Sequence, residues 1–166
     1  QTVQFIKKEF LNKSKLLGSA YDADSDGEEG KYYVYIYNDI KNIKDINDYF
    51  EVDAKGNWEN KIILVEKNKP PKEILEKLLK IRLKKNKPFF DDKTQLDLNC
   101  LWISGLISAH EILPQKGYLK SAEFFFDVIE EKYLKKNIQH SYSKDIVFLE
   151  DYAFLINALN DLSDKT

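Results

Sequence analysis

The sequence has no methionine, a single cysteine (Cys100), two histidines, and no hydrophobic run long enough to cross a bilayer. Each shortage excludes something. One cysteine cannot form an internal disulfide, so a reducing compartment, the cytoplasm, is the expected setting. His110 and His140 are too few and too far apart in the sequence for a metal site or a catalytic triad, so neither a metal nor a cofactor is expected. No window approaches the roughly 18 apolar residues of a membrane-spanning helix. The opening residues, Gln1-Thr2-Val3-Gln4-Phe5-Ile6, have neither the charged region nor the cleavage motif of a signal peptide. With no initiator methionine, and a helical pattern over 155–162 that meets no Gly or Pro stop, the chain reads as part of a longer protein. An excess of one charge is lacking too. Lys and Arg number 26 against 28 Asp and Glu, a net of −2, so nothing electrostatic points to nucleic acid or an anionic membrane.

What is present has the balance of a globular chain, 43% hydrophobic and 33% charged, at a length that suits one domain. Val3, Phe5, Ile6 and Phe10 fall at helical spacing. An acidic, glycine-punctuated loop over 18–30 precedes a run of β-branched and aromatic residues at 31–37, which reads as a strand. Ile40, Ile43, Ile46, Tyr49 and Phe50 suit a surface helix over 38–50, and 61–65 reads as a second strand after a turn at 56–60. Pro70-Pro71 opens a helix to about Lys85. Residues 94–113 are helical in pattern and apolar nearly all round, which calls for cover on both sides. Pro114 to Gly117 is a turn, 118–134 an amphipathic helix, and a last helix begins near Phe148 after a polar loop around His140. Alternation of an all-round apolar helix with amphipathic ones is the pattern of stacked helical hairpins.

Four stretches carry more than pattern. They are Ala20-Tyr21-Asp22-Ala23-Asp24-Ser25-Asp26-Gly27-Glu28-Glu29-Gly30-Lys31-Tyr32-Tyr33-Val34; Gly56-Asn57-Trp58-Glu59-Asn60-Lys61; Asp91-Asp92-Lys93 with Asn99 and Leu101; and Leu149-Glu150-Asp151-Tyr152-Ala153-Phe154-Leu155. In this order they resemble the YyaL-like family, related to the spermatogenesis-associated thioredoxin-domain proteins, across residues 18–162. The resemblance implies a thioredoxin-like domain joined to an (α/α)6 toroid similar to those of N-acylglucosamine 2-epimerases and six-hairpin glycosidases. For this chain it implies a mainly α fold: a partial (α/α) toroid of helical hairpins with a small antiparallel β-hairpin insertion. Residues 1–166 would form one such domain, with the acidic loop and β insertion at 18–66 and the hairpins at 71–166. The thioredoxin-like part is absent, and Leu98-Asn99-Cys100 stands where the family has Trp-Asn-Gly.

The function implied is a toroid that binds or processes a carbohydrate, as a sugar epimerase or glycosidase does. The alternative is a non-catalytic binding or scaffold module. Asp92 and Asp151 are the candidate catalytic pair, since two carboxylates across a cavity can act as acid and base. Asp22, Asp24, Asn99 and Glu150 are candidate ligand contacts, as acceptors or donors for sugar hydroxyls. Each also has a plain structural role open to it. Asp92, Glu150 and Asp151 suit helix N-termini, Asn99 a satisfied core amide, and the acidic loop a turn. The expected partners are a small sugar ligand, the missing portion of the same protein, or a second copy through an apolar surface including some of Leu101, Trp102, Ile156 and Leu159.

Asp22, Asp24, Asp26 and Gly27 match the first half of a calcium-loop pattern, but Tyr33 stands where the bidentate Glu belongs. Calorimetric titration with calcium is therefore expected to show no micromolar binding. A micromolar affinity abolished by Asp24→Ala would contradict this.

Overall fold

The computed structural model describes residues 1–135, 137–141 and 145–165. Its α-helices are α1 (Thr2–Phe10), α2 (Tyr37–Ile40), α3 (Ile46–Tyr49), α4 (Lys72–Arg82), α5 (Leu96–Ile112), α6 (Tyr118–Ile129) and α7 (Leu149–Ser163). The strands are two residues each: β1 (Ala20–Tyr21), β2 (Asp24–Ser25), β3 (Glu28–Glu29) and β4 (Phe90–Asp91). The protein is thus mainly α with a small antiparallel element. Part of the loop expected around His140 lies outside the described residues. No described helix is long and apolar enough to cross a membrane.

The chain forms two compact units, one of 1–20 with 90–166 and one of 21–89. In the first, α5 packs against both α6 and α7. Leu96, Cys100, Ile103 and Leu106 recur at three- and four-residue spacing and are fully buried, which defines the core face of α5. Phe125 and Ile129 of α6 and Leu155 and Ala158 of α7 close over that face, joined by Leu16 and Leu17. A π-helical turn, Glu130–Leu134, continues α6 and carries the buried Tyr133. Its hydroxyl donates to the Thr94 carbonyl (2.9 Å) and meets the Thr94 hydroxyl at 2.5 Å. Burial of α5 is one-sided, not all-round as its composition suggests. Leu98 and Leu101, one turn apart, are exposed, and so are Tyr152, Ile156 and Leu159 along one face of α7. Trp102, by contrast, is buried edge-on against Phe125.

The second unit departs more from the sequence pattern. Residues 31–37 form no strand. Gly30, in the left-handed region, turns the chain so that Tyr33 and Val34 donate back to its carbonyl. Only Tyr35 pairs across, exchanging both backbone bonds with Ile62 (2.9 and 2.7 Å). Residues 61–65 form no strand either, because the Asn57 carboxamide takes both backbone groups of Ile63 (2.8 Å each) in place of a neighbouring chain. The antiparallel hairpin lies instead at β2–β3. Its two-residue turn, Asp26-Gly27, has φ of 54° and 73°, the left-handed geometry that Asp-Gly tolerates and a type I′ hairpin requires. The expected surface helix over 38–50 is two single-turn helices, and Ile40, Ile46 and, just outside them, Ile43 and Phe50 are core rather than surface. Helix α4 belongs here and not with the later helices, since Ile74 and Leu78 pack into the same cluster.

Ile103 has no exposed surface at the centre of α5, so Ile103→Ala should cost about 2–5 kcal/mol, from lost transfer energy plus the cavity left behind. Leu101→Ala, at a half-exposed position, should cost under about 1 kcal/mol. Urea denaturation of the two variants measures the difference; equal losses would contradict the one-sided burial.

Candidate functional site

Polar groups that an apolar helix cannot avoid must be paired once buried. In the first unit they gather at the start of α5. Asn99 has no exposed surface. Its side-chain carbonyl accepts from the Leu17 N–H (2.8 Å), and its amide donates to the Leu17 carbonyl (3.1 Å) and the Gln95 carbonyl (2.9 Å). The side chain imitates one rung of a β-ladder to a segment 82 residues away in the chain. Asn99 is a satisfied core amide, and no donor or acceptor is left pointing at a ligand.

Asp151 is equally buried. As the third residue of α7 it supplies the returning half of a capping box: its Oδ2 accepts from the Phe148 N–H at 2.8 Å, where the helix dipole also favours a carboxylate. Its Oδ1 meets Nδ1 of His140 at 2.9 Å. The same Nδ1 lies 3.9 Å from an Asp97 carboxylate oxygen, and Nε2 of His140 meets the Gln95 side-chain amide nitrogen at 2.8 Å. An Nδ1–H tautomer satisfies this set, donating to Asp151 and accepting from Gln95. The backbone reinforces the position. The Leu96 N–H, one of the free donors at the start of α5, donates to the His140 carbonyl at 2.8 Å. Phe148 stands edge-on to the imidazole, ring centroids 4.8 Å apart.

The other candidates do not join this group. Glu150, next to Asp151 in the same helical turn, is exposed. Asp92 is exposed on a cleft of about 400 Å3, lined also by Asn12, Lys13, Ser14, Lys93, Thr94, Lys132 and Ser141. Its backbone carbonyl accepts from the Asn12 amide at 2.7 Å. Asp22 and Asp24 belong to the second unit and are exposed. Asp22 uses a carboxylate oxygen to accept from the Asp24 N–H at 3.1 Å, an ordinary Asx turn. Asp26 in the same hairpin is held below the usual carboxylate range, first by a hydrogen bond from the Asn86 amide (2.9 Å) and then by Lys31.

The residues that sequence reasoning passed over are His140, Asp97 and Gln95. Nothing in their spacing marks them, because the association depends on how far the chain after α6 returns toward the start of α5. The Asp26-Gly27 turn is different. That dipeptide is a hairpin signal in its own right, and it was legible. Cys100, one position beyond Asn99, is buried. Burial, assisted by the Asp151 and Asp97 charges, pushes its thiol up to about 12.

Compared with known proteins, the chain matches no family model and no curated protein.

Cys100 should behave as an inert core thiol. The native protein at pH 8 is expected to react with iodoacetamide at least about a hundredfold more slowly than the urea-unfolded chain, since only a thiolate with solvent access is a nucleophile. The raised value also sets a sign. The unfolded thiol ionises first, so any contribution from this group is complete below the ordinary thiol range near 9 and is lost as pH rises toward 12. Native alkylation at the unfolded rate would contradict the assignment.

Proposed function

We propose that the chain is a non-catalytic helical module, a piece of a YyaL-like (α/α) toroid, and not the seat of an epimerase or glycosidase reaction. The observation that carries this reading is the state of Asp151. An acid/base carboxylate must reach a substrate, and here both oxygens are spent internally, one on the Phe148 N–H and one on His140, in a residue with no exposed surface. The exposed faces of α5 and α7 support the scaffold role. Leu98 and Leu101 on the one, and Tyr152, Ile156 and Leu159 on the other, form stripes that water does not favour and that the rest of a toroid or a second copy would cover.

A second reading rests on the cleft that Asp92 lines. One amide, hydroxyls, amines and a carboxylate around about 400 Å3 suit the hydroxyls of a small sugar. Binding there needs no catalysis, so it is compatible with a module that presents a ligand to another domain.

Assays with aryl glycosides and with N-acylglucosamines are expected to give no turnover above background for this chain. Turnover lost in Asp92→Asn or Asp151→Asn would overturn the non-catalytic reading. Sedimentation velocity should find concentration-dependent association, weakened by Leu101→Ser combined with Ile156→Ser. A compact monomer at all concentrations would count against the scaffold role.

A further inference from the structure

Two carboxylates converge on one imidazole at the start of α5 and α7. A buried carboxylate is stable only when its charge is balanced. Asp151 has no exposed surface, the Asp97 side chain is only 20% exposed, and among the described residues the only cationic partner of either is His140. The two helix N-termini supply about half a positive charge each. With a neutral imidazole, the group keeps about one uncompensated negative charge. That charge reaches the neighbouring Cys100, where both carboxylates add to the effect of burial on the thiol.

We infer that Asp97, His140 and Asp151 form a binding site for a divalent transition-metal cation of the zinc class, held by Nδ1 of His140 and one oxygen of each aspartate. The three ligand atoms lie within 4.8 Å of one another. Around a tetrahedral zinc, with bonds near 2.0–2.1 Å, ligand atoms stand about 3.4 Å apart. The 2.9 Å separation of Asp151 from Nδ1 is close to that, and the 3.9 Å separation of Asp97 closes by rotation of a side chain at the edge of the core, whose Oδ1 otherwise accepts from the Leu98 N–H at 2.8 Å. An imidazole with two carboxylates selects zinc-like ions over calcium or magnesium, which prefer all-oxygen shells. Three protein ligands leave a position for water, and the partial exposure of Asp97 and His140 gives that position access to solvent.

The surrounding contacts fit the same reading. On binding, the cation takes the place of the proton on Nδ1, and that single proton moves by exchange with solvent to Nε2, so the imidazole stays neutral and no net proton is released. Rotation of the Gln95 amide by half a turn then presents its oxygen to Nε2–H, the outer contact that metal-binding histidines usually make. Asp151 Oδ2 stays on the Phe148 N–H, which fixes the direction of Oδ1. The cation joins the first turns of two helices to His140. It acts as a staple, and the proposal stands whether or not the module is catalytic.

The test is titration of chelator-treated protein with cobalt(II) by visible absorption and with zinc by calorimetry. One equivalent should bind with a micromolar or lower dissociation constant, with a tetrahedral or five-coordinate cobalt spectrum. Asp97→Asn should weaken binding at least about tenfold while circular dichroism stays native, and His110→Gln should change nothing. Because Asp97→Asn could disturb folding, the wild-type imidazole nitrogen shifts provide a second readout: zinc should move Nδ1 of His140 and leave His110 unmoved. Absence of a cobalt spectrum, an affinity unaffected by Asp97→Asn, or shifts confined to His110 would each overturn the proposal.

Discussion

The first unit depends on how α5 begins. A helix with so apolar a face can be held in water only if its few polar groups are tied and its unpaired N-terminal donors are met. One turn of α5 does both. Asn99 ties it to Leu17, the Leu96 N–H ties it to His140, and His140 ties it to Asp151 and so to the start of α7. The apolar contacts of Ile103, Leu106, Phe125 and Leu155 supply most of the stabilisation, but they are not directional. The polar ties select the register in which those contacts are made.

This division explains what the sequence could reveal. Helices α1, α5, α6 and α7 were legible because hydrophobic spacing and the Pro114 to Gly117 turn mark them directly. The strands at 31–37 and 61–65 were not, because β propensity describes a surface that fits a ladder and cannot say whether a ladder partner is free. Asn57 had already taken Ile63, and Gly30 had turned the chain ahead of Tyr33. The helix expected over 38–50 failed for a related reason. Spacing of Ile40, Ile43 and Ile46 fits a helix whether it is continuous or broken, and Asp45, at a φ of 60°, breaks it.

The candidate residues divide in the same way. Asp151 and Asn99 stand out in the sequence because they are polar residues in helices that bury a face. That position more often signals a buried structural contact than an exposed one, and for these two the contacts are internal. Asp22, Asp24 and Glu150 stand out by charge alone, and charge alone places a residue in water. His140 has neither mark, yet its ring meets both Gln95 and Asp151 and its carbonyl takes the Leu96 N–H.

The first unit is also interrupted. The chain leaves it at Ala20 and returns at Phe90, and the Ser19 N–H donates to the Asp91 carbonyl at 2.9 Å across the gap. Before that bond can form, the ends of a long tether must meet. If the tether is floppy, the entropy of closure grows with the logarithm of its length and opposes every early encounter. The second unit has its own core, and its Asp22 N–H donates to the Phe89 carbonyl at 2.8 Å, so its two ends are already side by side once it has formed. A refolding chain that completes 21–89 early converts the long tether into a short one. Chain order then favours a sequence in which 21–89 forms before the two segments that flank it in the chain meet.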